Sequence, residues 1–286
     1  MTKATFLRAS YGQGYRYPSI AERFVKTEFG ASQVFPNPNL KSETGWSSEL
    51  GLKQFMKSGN WQGVIDVAYF WMEYKDMMEF NFGFHAPNDS TVSQVGPRVI
   101  DYIGFQSKNI GRARINGIDI YISGQFEFSK IKWRYLLGYT YMNPMQINPD
   151  SAIVVNISGP TNTLKYRYRN SLKFDTEFGY KKATFGFTTL YTSFMQNIDA
   201  VFENTKPENN FGQIFEFSTK LPTTIHQFRE KYNKGTLVFD ARFSYQIMSN
   251  IKMAFIVRNL SNTVYAERPA LLSPPRNFTL QMALDM

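Results

Sequence analysis

Apolar and polar side chains alternate with a period of two along most of this chain, and the alternation is least interrupted near its end. From Gly235, the residues Leu237, Phe239, Ala241, Phe243, Tyr245 and Ile247 share one face, and Thr236, Asp240, Arg242, Ser244 and Gln246 the other. After Met248-Ser249-Asn250 the pattern resumes, with Ile251, Met253, Phe255 and Val257 against Lys252 and Arg258. It returns with Phe278, Leu280, Met282, Leu284 and Met286 against Asn277, Thr279, Gln281 and Asp285. Each run predicts a β-strand with one greasy and one wet side. A soluble sandwich and a transmembrane barrel share that pattern, so periodicity alone leaves both open.

The same reading upstream predicts strands over 4–12, 44–56, 61–74, 99–128, 131–141, 166–180 and 183–194, the longest of them kinked near Gly111 or Gly117. Their connections separate the two readings. Short turns near 58, 130, 181 and 249 alternate strictly with long segments over 13–42, 76–98, 143–165, 195–234 and 259–275. An up-and-down meander then carries every tight turn at one end and every long loop at the other, as bacterial outer-membrane barrels do. A Greek-key sandwich has no reason to keep that asymmetry. The expected fold is therefore all-β, an antiparallel up-and-down transmembrane β-barrel portion of about ten strands with short periplasmic turns and long extracellular loops. Trp61 and Trp71, Tyr139 and Tyr141, and Tyr166 and Tyr168 fall toward strand ends, where an interfacial girdle needs aromatic rings.

Composition narrows the class further. In 286 residues, 16% are aromatic and no Pro/Gly/Ser-rich linker separates two cores, which favours one large β domain. Cysteine is absent, which excludes a disulfide framework, a thiolate metal site and a Cys nucleophile. The formal charge of +9 is scattered rather than gathered in a stripe, so no nucleic-acid role is expected. No apolar run approaches the ~20 residues of a spanning helix. Arg8 interrupts what would be the apolar core of a signal peptide at the start, so the chain is expected to be the later part of a longer protein.

The only histidines, His85 and His226, lie in predicted long loops. Glu73 and Asp76 precede the first and Glu230 follows the second, but no catalytic spacing is recognisable, and two unlinked His make no metal site. No catalytic residue, metal or cofactor is assigned, and the chain is not expected to be an enzyme. Tyr15, Arg16, Tyr17 and Arg23 form an aromatic-basic cluster that could meet an anionic ferric chelate or stack on a sugar; shaping the loop around Pro18 is the competing role.

Four passages are more specific than any pattern: "RASYGQGYRYPSIAERF" (8–24), "NPNLKSETGWSSELGLKQ" (37–54), "NIGRARINGIDI" (109–120) and "VRNLSNTVYAERPALLSPPRNFTLQMALDM" (257–286). The first two resemble the paired boxes of TonB-dependent receptors of the outer membrane. The third resembles the long barrel strand that follows them, and the fourth the closing strand pair. The resemblance spans essentially the whole chain. It implies the last strands of a barrel that closes with about twenty-two, with the signal peptide, plug domain, TonB-contacting segment and earlier strands lying outside residues 1–286. It further implies an outer-membrane location, partners in outer-membrane lipid, a small nutrient ligand and the TonB system through the missing plug, and uptake of a ferric siderophore, cobalamin or an oligosaccharide. Arg134, Lys173, Asp175, Glu177, Asp240 and Arg242 are then expected to face a plug or water. Two departures stand out: the final residue is Met286 where the family usually has an aromatic, and no His lies between Tyr17 and Asn37, which argues against haem ligation there. The rival readings are a complete ten-stranded outer-membrane hydrolase and a soluble β-sandwich binding module.

Overall fold

The structure is a computed structural model that describes residues 4–29, 32–85, 101–147, 159–160, 162–203, 222–269 and 271–284. In chain order its elements are β1 (Thr5–Arg16), helix α1 (Ile20–Phe24), β2 (Thr27–Phe29), β3 (Ser32–Phe35), β4 (Glu43–Ser58), β5 (Trp61–Lys75), β6 (Met78–Phe84) and β7 (Ile103–Asn109). There follow β8 (Arg112–Phe128), β9 (Ile131–Ile147), β10 (Asn170–Tyr180), β11 (Ala183–Thr192), helix α2 (Pro222–Lys231), β12 (Thr236–Met248), β13 (Ile251–Arg258), β14 (Ala266–Arg268), β15 (Leu271–Leu272) and β16 (Asn277–Leu284).

A 10-stranded antiparallel sheet in the order β1-β4-β5-β8-β9-β10-β11-β12-β13-β16 forms the wall. Its register explains the alternation. Leu7 pairs with Leu52, then in turn Val67, Ile120, Tyr139, Leu172, Tyr191 and Leu237, an apolar row crossing eight strands. One residue along, Arg8, Gly51, Ala68, Asp119, Thr140, Ser171, Thr192 and Thr236 form the neighbouring row on the opposite face. Opposite faces of one sheet thus carry grease and polar groups, as the pleat requires. The greasy rows have no second layer over them: Leu7 is 73% exposed, Leu52 48% and Leu280 69%. A sandwich would bury such rows against another sheet; a barrel in a bilayer gives them to lipid.

All four predicted tight turns join consecutive wall strands, at 59–60, 129–130, 181–182 and 249–250. Gly59, Ser129 and Lys181 take positive φ there, of 55°, 54° and 53°, the backbone that a two-residue hairpin with right-handed strand twist needs. At the other end the long connections fold back on themselves. They build a 4-stranded sheet in the order β2-β3-β7-β6, in which β3 and β7 run parallel. Between it and the wall lies a small core of Met77, Ile110, Ala113 and Leu164, with Tyr74 and Ile115 against it.

The structure corrects several boundaries. The stretch expected to be one kinked strand is two: β7 belongs to the small sheet, and the chain turns at Gly111 (φ 83°) before β8 enters the wall. β1 runs on to Arg16 and β9 to Ile147, beyond the predicted ends, whereas β10 begins at Asn170, later than predicted. The 195–234 segment contains α2. Met286 lies outside the described residues.

Candidate functional site

The loop end of the wall is set by the segment after β1. Ser19 caps α1 in a reciprocal box: the Glu22 backbone N–H donates to the Ser19 hydroxyl (3.1 Å) and the Ser19 N–H to the Glu22 carboxylate (2.8 Å). Arg16 reaches the same carboxylate at 2.5 Å. Burial pushes the Glu22 carboxyl up, but the hydrogen bonds from Ser19 and the charge of Arg16 outweigh it and hold the group below its ordinary value. Arg23 donates two hydrogen bonds to the Pro38 carbonyl (2.7 and 3.2 Å) and lies 5.0 Å over the Phe24 ring. Of the four candidate residues, Arg16 and Arg23 are therefore held by their own loop. Tyr15 and Tyr17 are 70% and 71% exposed and meet edge to face at 5.0 Å; Tyr15 lies on the outward face with Leu7, on the edge strand β1, whose residues are all exposed.

Two ionic clusters line the polar face. In one, Arg8 donates to Glu49 (2.8 Å) and Asp66 (2.5 Å), with Lys53 3.9 Å from Asp66. In the other, Arg242 grips Asp175 through both terminal nitrogens (2.8 and 2.9 Å), Thr188 donates to Asp175 at 2.5 Å, and Arg134 meets Glu177 at 2.5 Å. Glycines make room for the guanidinium groups. A Cβ at Gly51 would stand 2.6 Å from Arg8 Cζ, and one at Gly186 2.4 Å from Arg242 Nε. A recess of about 920 Å³ on this face is lined by Gln62, Gln125, Arg134, Glu177, Arg242 and Lys252. Asp240 instead accepts the Asn259 backbone N–H at 2.8 Å.

A third constellation could not be found from spacing. The Lys165 ammonium, 2% exposed, donates to Asp199 (2.6 Å), to the Asn81 side chain (2.8 Å) and to the Phe80 carbonyl (3.1 Å). The Tyr166 hydroxyl donates to the other Asp199 oxygen, and burial, then the Asp199 charge, raises that phenol well above its ordinary value. The partners come from three separate long connections, which this buried node fastens together. In the sequence, Lys165 and Asp199 were only two charges in loops.

The histidines do not meet. His226 Nε2 lies 3.1 Å from Glu230 Oε1, one helical turn on, in an outward part of α2. Glu73 is occupied by Arg114 and Arg112. His85 sits at the end of β6 with its ring 5.3 Å from Phe35, its Nε2 buried and without a hydrogen-bond partner. Among the described residues no group of three or more His, Cys, Asp and Glu gathers as a metal site.

A meander with a lipid-facing greasy side, a charged concave side, tight turns at one end and folded long loops at the other is an outer-membrane β-barrel wall. The chain belongs to the TonB dependent receptor-like, beta-barrel family, which it matches over residues 1–260. Among curated relatives it is 29% identical over 134 residues to Heme/hemopexin utilization protein C of Haemophilus influenzae, covering 42% of this chain and 18% of that protein. It is 28% identical over 123 residues to Hemoglobin-haptoglobin utilization protein B of Neisseria meningitidis serogroup C, covering 41% and 15%. Two solved structures share the fold. The pyoverdine outer membrane receptor FpvA of Pseudomonas aeruginosa, bound to pyoverdine, aligns with a TM-score of 0.61 at 16% identity over 100% of this chain and 34% of its own. The Serratia marcescens hemophore receptor HasR, in complex with HasA and heme, aligns with a TM-score of 0.61 at 15% identity over 99% and 37%. The chain thus spans about a third of these receptors' length. The relatives are named as receptors and utilization proteins.

Proposed function

We propose that this chain forms the C-terminal part of the barrel of a TonB-energised transporter that carries a scarce, iron-bearing nutrient across the outer membrane. The plug, the TonB-contacting segment and the remaining strands belong, on this reading, to the rest of a longer polypeptide. The observation that carries it is the family match over residues 1–260 on a wall with lipid outside and charge within. The two curated proteins named above are heme/hemopexin and hemoglobin-haptoglobin utilization proteins, whose common group, haem, carries iron, and FpvA was solved with pyoverdine.

The loop after β1, fixed by Arg16 and Arg23, presents Tyr17 to the ligand at the outer rim, and Tyr15, on the outward face of β1 with Leu7, supports the Tyr17 ring edge to face. An anionic ferric chelate of siderophore type is the expectation from the sequence, and it would meet the Tyr17 ring beside Arg16, which although paired with Glu22 keeps 49% of its side chain exposed. Haem is the second reading, favoured by the curated relatives, although the stretch between Tyr17 and Asn37 contains no His.

The test is growth of an iron-starved strain lacking the gene, supplied with single iron sources, and uptake of the labelled source on complementation. We expect growth on a ferric siderophore or on haem to be lost and restored. Replacing Tyr15 and Tyr17 together with Ala should raise the half-saturating ligand concentration about tenfold, equivalent to ~1.4 kcal/mol. Unchanged growth on every iron source in the deletion strain would sink the reading.

A further inference from the structure

The outward face carries a charged patch where its greasy band ends. On β5 the outward residues run Trp61, Ile65, Val67, Tyr69, Trp71, and then change character at Glu73 and Lys75. From Trp61 to Trp71 the strand advances ~33 Å at about 3.3 Å per residue, which at a tilt near 40° is roughly 25 Å of height, the thickness of a barrel's apolar band. One pleat above Trp71, Glu73 pairs across the sheet with Arg114 on β8, and one pleat above that stands Arg112. These side chains share the outward face. Arg114 Cζ lies 4.8 Å over the Trp71 ring and its Nη2 2.8 Å from Glu73 Oε1. Arg112 Nη2 is 3.5 Å from the other oxygen, and Asn116 Nδ2 3.4 Å from the Tyr69 hydroxyl.

We propose that Arg112, Arg114 and Lys75 form a docking site for a phosphorylated lipid headgroup of the outer leaflet. The inference rests on the membrane-barrel assignment and goes beyond it by naming a headgroup chemistry and the residues that read it. Arg112 and Arg114 both meet Glu73, and Lys75 follows two residues on along the same face of β5, so three cations and one carboxylate leave the patch a net positive charge of two. Arg112 is 60% exposed at its side chain and meets Glu73 only at 3.5 Å, so most of its five N–H donors lie beyond that contact. A guanidinium pair on adjacent positions of one face suits a phosphate, which accepts paired N–H bonds. The aromatic row below, Tyr69 and Trp71, lies where the acyl chains of the same lipid begin. Height selects the occupant: these cations stand at the headgroup level of the leaflet on the long-loop side, where basic residues next to a membrane attract anionic lipid.

The test uses the whole protein, extracted from outer membranes in mild detergent, and native mass spectrometry with synthetic lipid A bearing two, one or no phosphate groups. The diphosphorylated lipid should bind best and the phosphate-free lipid at least tenfold more weakly. R112Q/R114Q should abolish that discrimination. E73Q, which removes the competing carboxylate, should tighten phosphorylated lipid severalfold, and this variant keeps the test decisive if the double variant assembles poorly. Equal retention of all three lipids by the parent protein, or an unchanged preference in R112Q/R114Q, overturns the proposal. Recovery of the parent protein outside the outer membrane overturns the barrel assignment and the proposal with it, and fractionation before extraction separates the two failures.

Discussion

Single side chains at the loop end hold titratable groups in environments that should be visible in pH dependence. Burial, and then the neighbouring Lys108, lowers the His85 imidazole from 6.5 to about 4, so it is neutral in the folded loop sheet at physiological pH. An unfolded His85 takes up its proton near 6.5, whereas the folded one resists until about 4. The folded state is therefore fully supported above 6.5 and loses stability as pH falls from there toward 4, by at most about 3 kcal/mol. Burial moves Glu79, on the same sheet, the other way, raising its carboxyl, so that Glu79 favours the folded state as pH falls. Comparing the parent with His85→Phe cancels Glu79. We expect amide hydrogen exchange in β6 and β7, corrected for the intrinsic rate, to lose protection between pH 6.5 and 4.5 in the parent and to change much less in the variant. An identical pH response in both would exclude His85 as its source.

At the scale of elements, two glycines of the β7–β8 passage do different work. Gly111 takes φ 83° in open space, so Ala there meets no atom but must adopt a left-handed backbone, at a cost of about 1–2 kcal/mol. Gly117 lies inside β8 at ordinary φ, yet a Cβ on it would stand 2.0 Å from the Tyr141 carbonyl oxygen and 2.6 Å from Phe70 Cζ. Backbone cannot give way as a side chain can. Gly117→Ala should thus lower the temperature at which the folded barrel loses its heat-modifiable mobility on gels by more than Gly111→Ala does; the reverse order would contradict the packing at Phe70. Both glycines were legible as irregularities, but their roles were not, because the sequence carries no sign of what approaches from the neighbouring strand. The same limit applies more widely. Wall strands such as β5 and β12 were readable because a face shared by lipid and lumen writes period two into every residue. The loop sheet was not: β2 and β3 are three and four residues long, and β3 pairs in parallel with β7, some seventy positions on. The Lys165–Asp199 node was hidden for the same reason, its partners being brought together only by tertiary folding. The Tyr15–Arg23 segment was legible as a cluster, whereas its division into two held arginines and two open tyrosines needed the α1 cap.

For the whole molecule, the decisive question is which side of the wall meets lipid, and adjacent residues answer it in opposite senses. Asp66 and Val67 on β5, Asp119 and Ile120 on β8, and Arg242 and Phe243 on β12 are consecutive pairs whose members lie on opposite faces. Residues 1–286 have no cysteine, so a single Cys introduced there is read against the parent protein labelled in parallel. In the whole protein reconstituted in lipid, Val67→Cys, Ile120→Cys and Phe243→Cys, once labelled with a fluorophore, should be quenched by lipids carrying a quencher on the acyl chain and little by iodide. Substituting Asp66, Asp119 or Arg242 breaks an ion pair or a hydrogen bond on the concave side, so the inward set is better probed at Ser123 on β8 and Ser244 on β12, which lie on that same face. Cys at those two positions should react with a water-soluble maleimide and escape the lipid quencher. Inward and outward sets must invert together, because one pleated sheet cannot change face partway along a strand without a bulge. If both sets were shielded from lipid and water alike, the wall would be the inner layer of a sandwich. If Val67 and Ile120 were open to water, the greasy side would be a binding surface of a soluble protein. Only the alternating result fits a barrel whose exposed rows, from Leu7 across to Leu237, are covered by acyl chains.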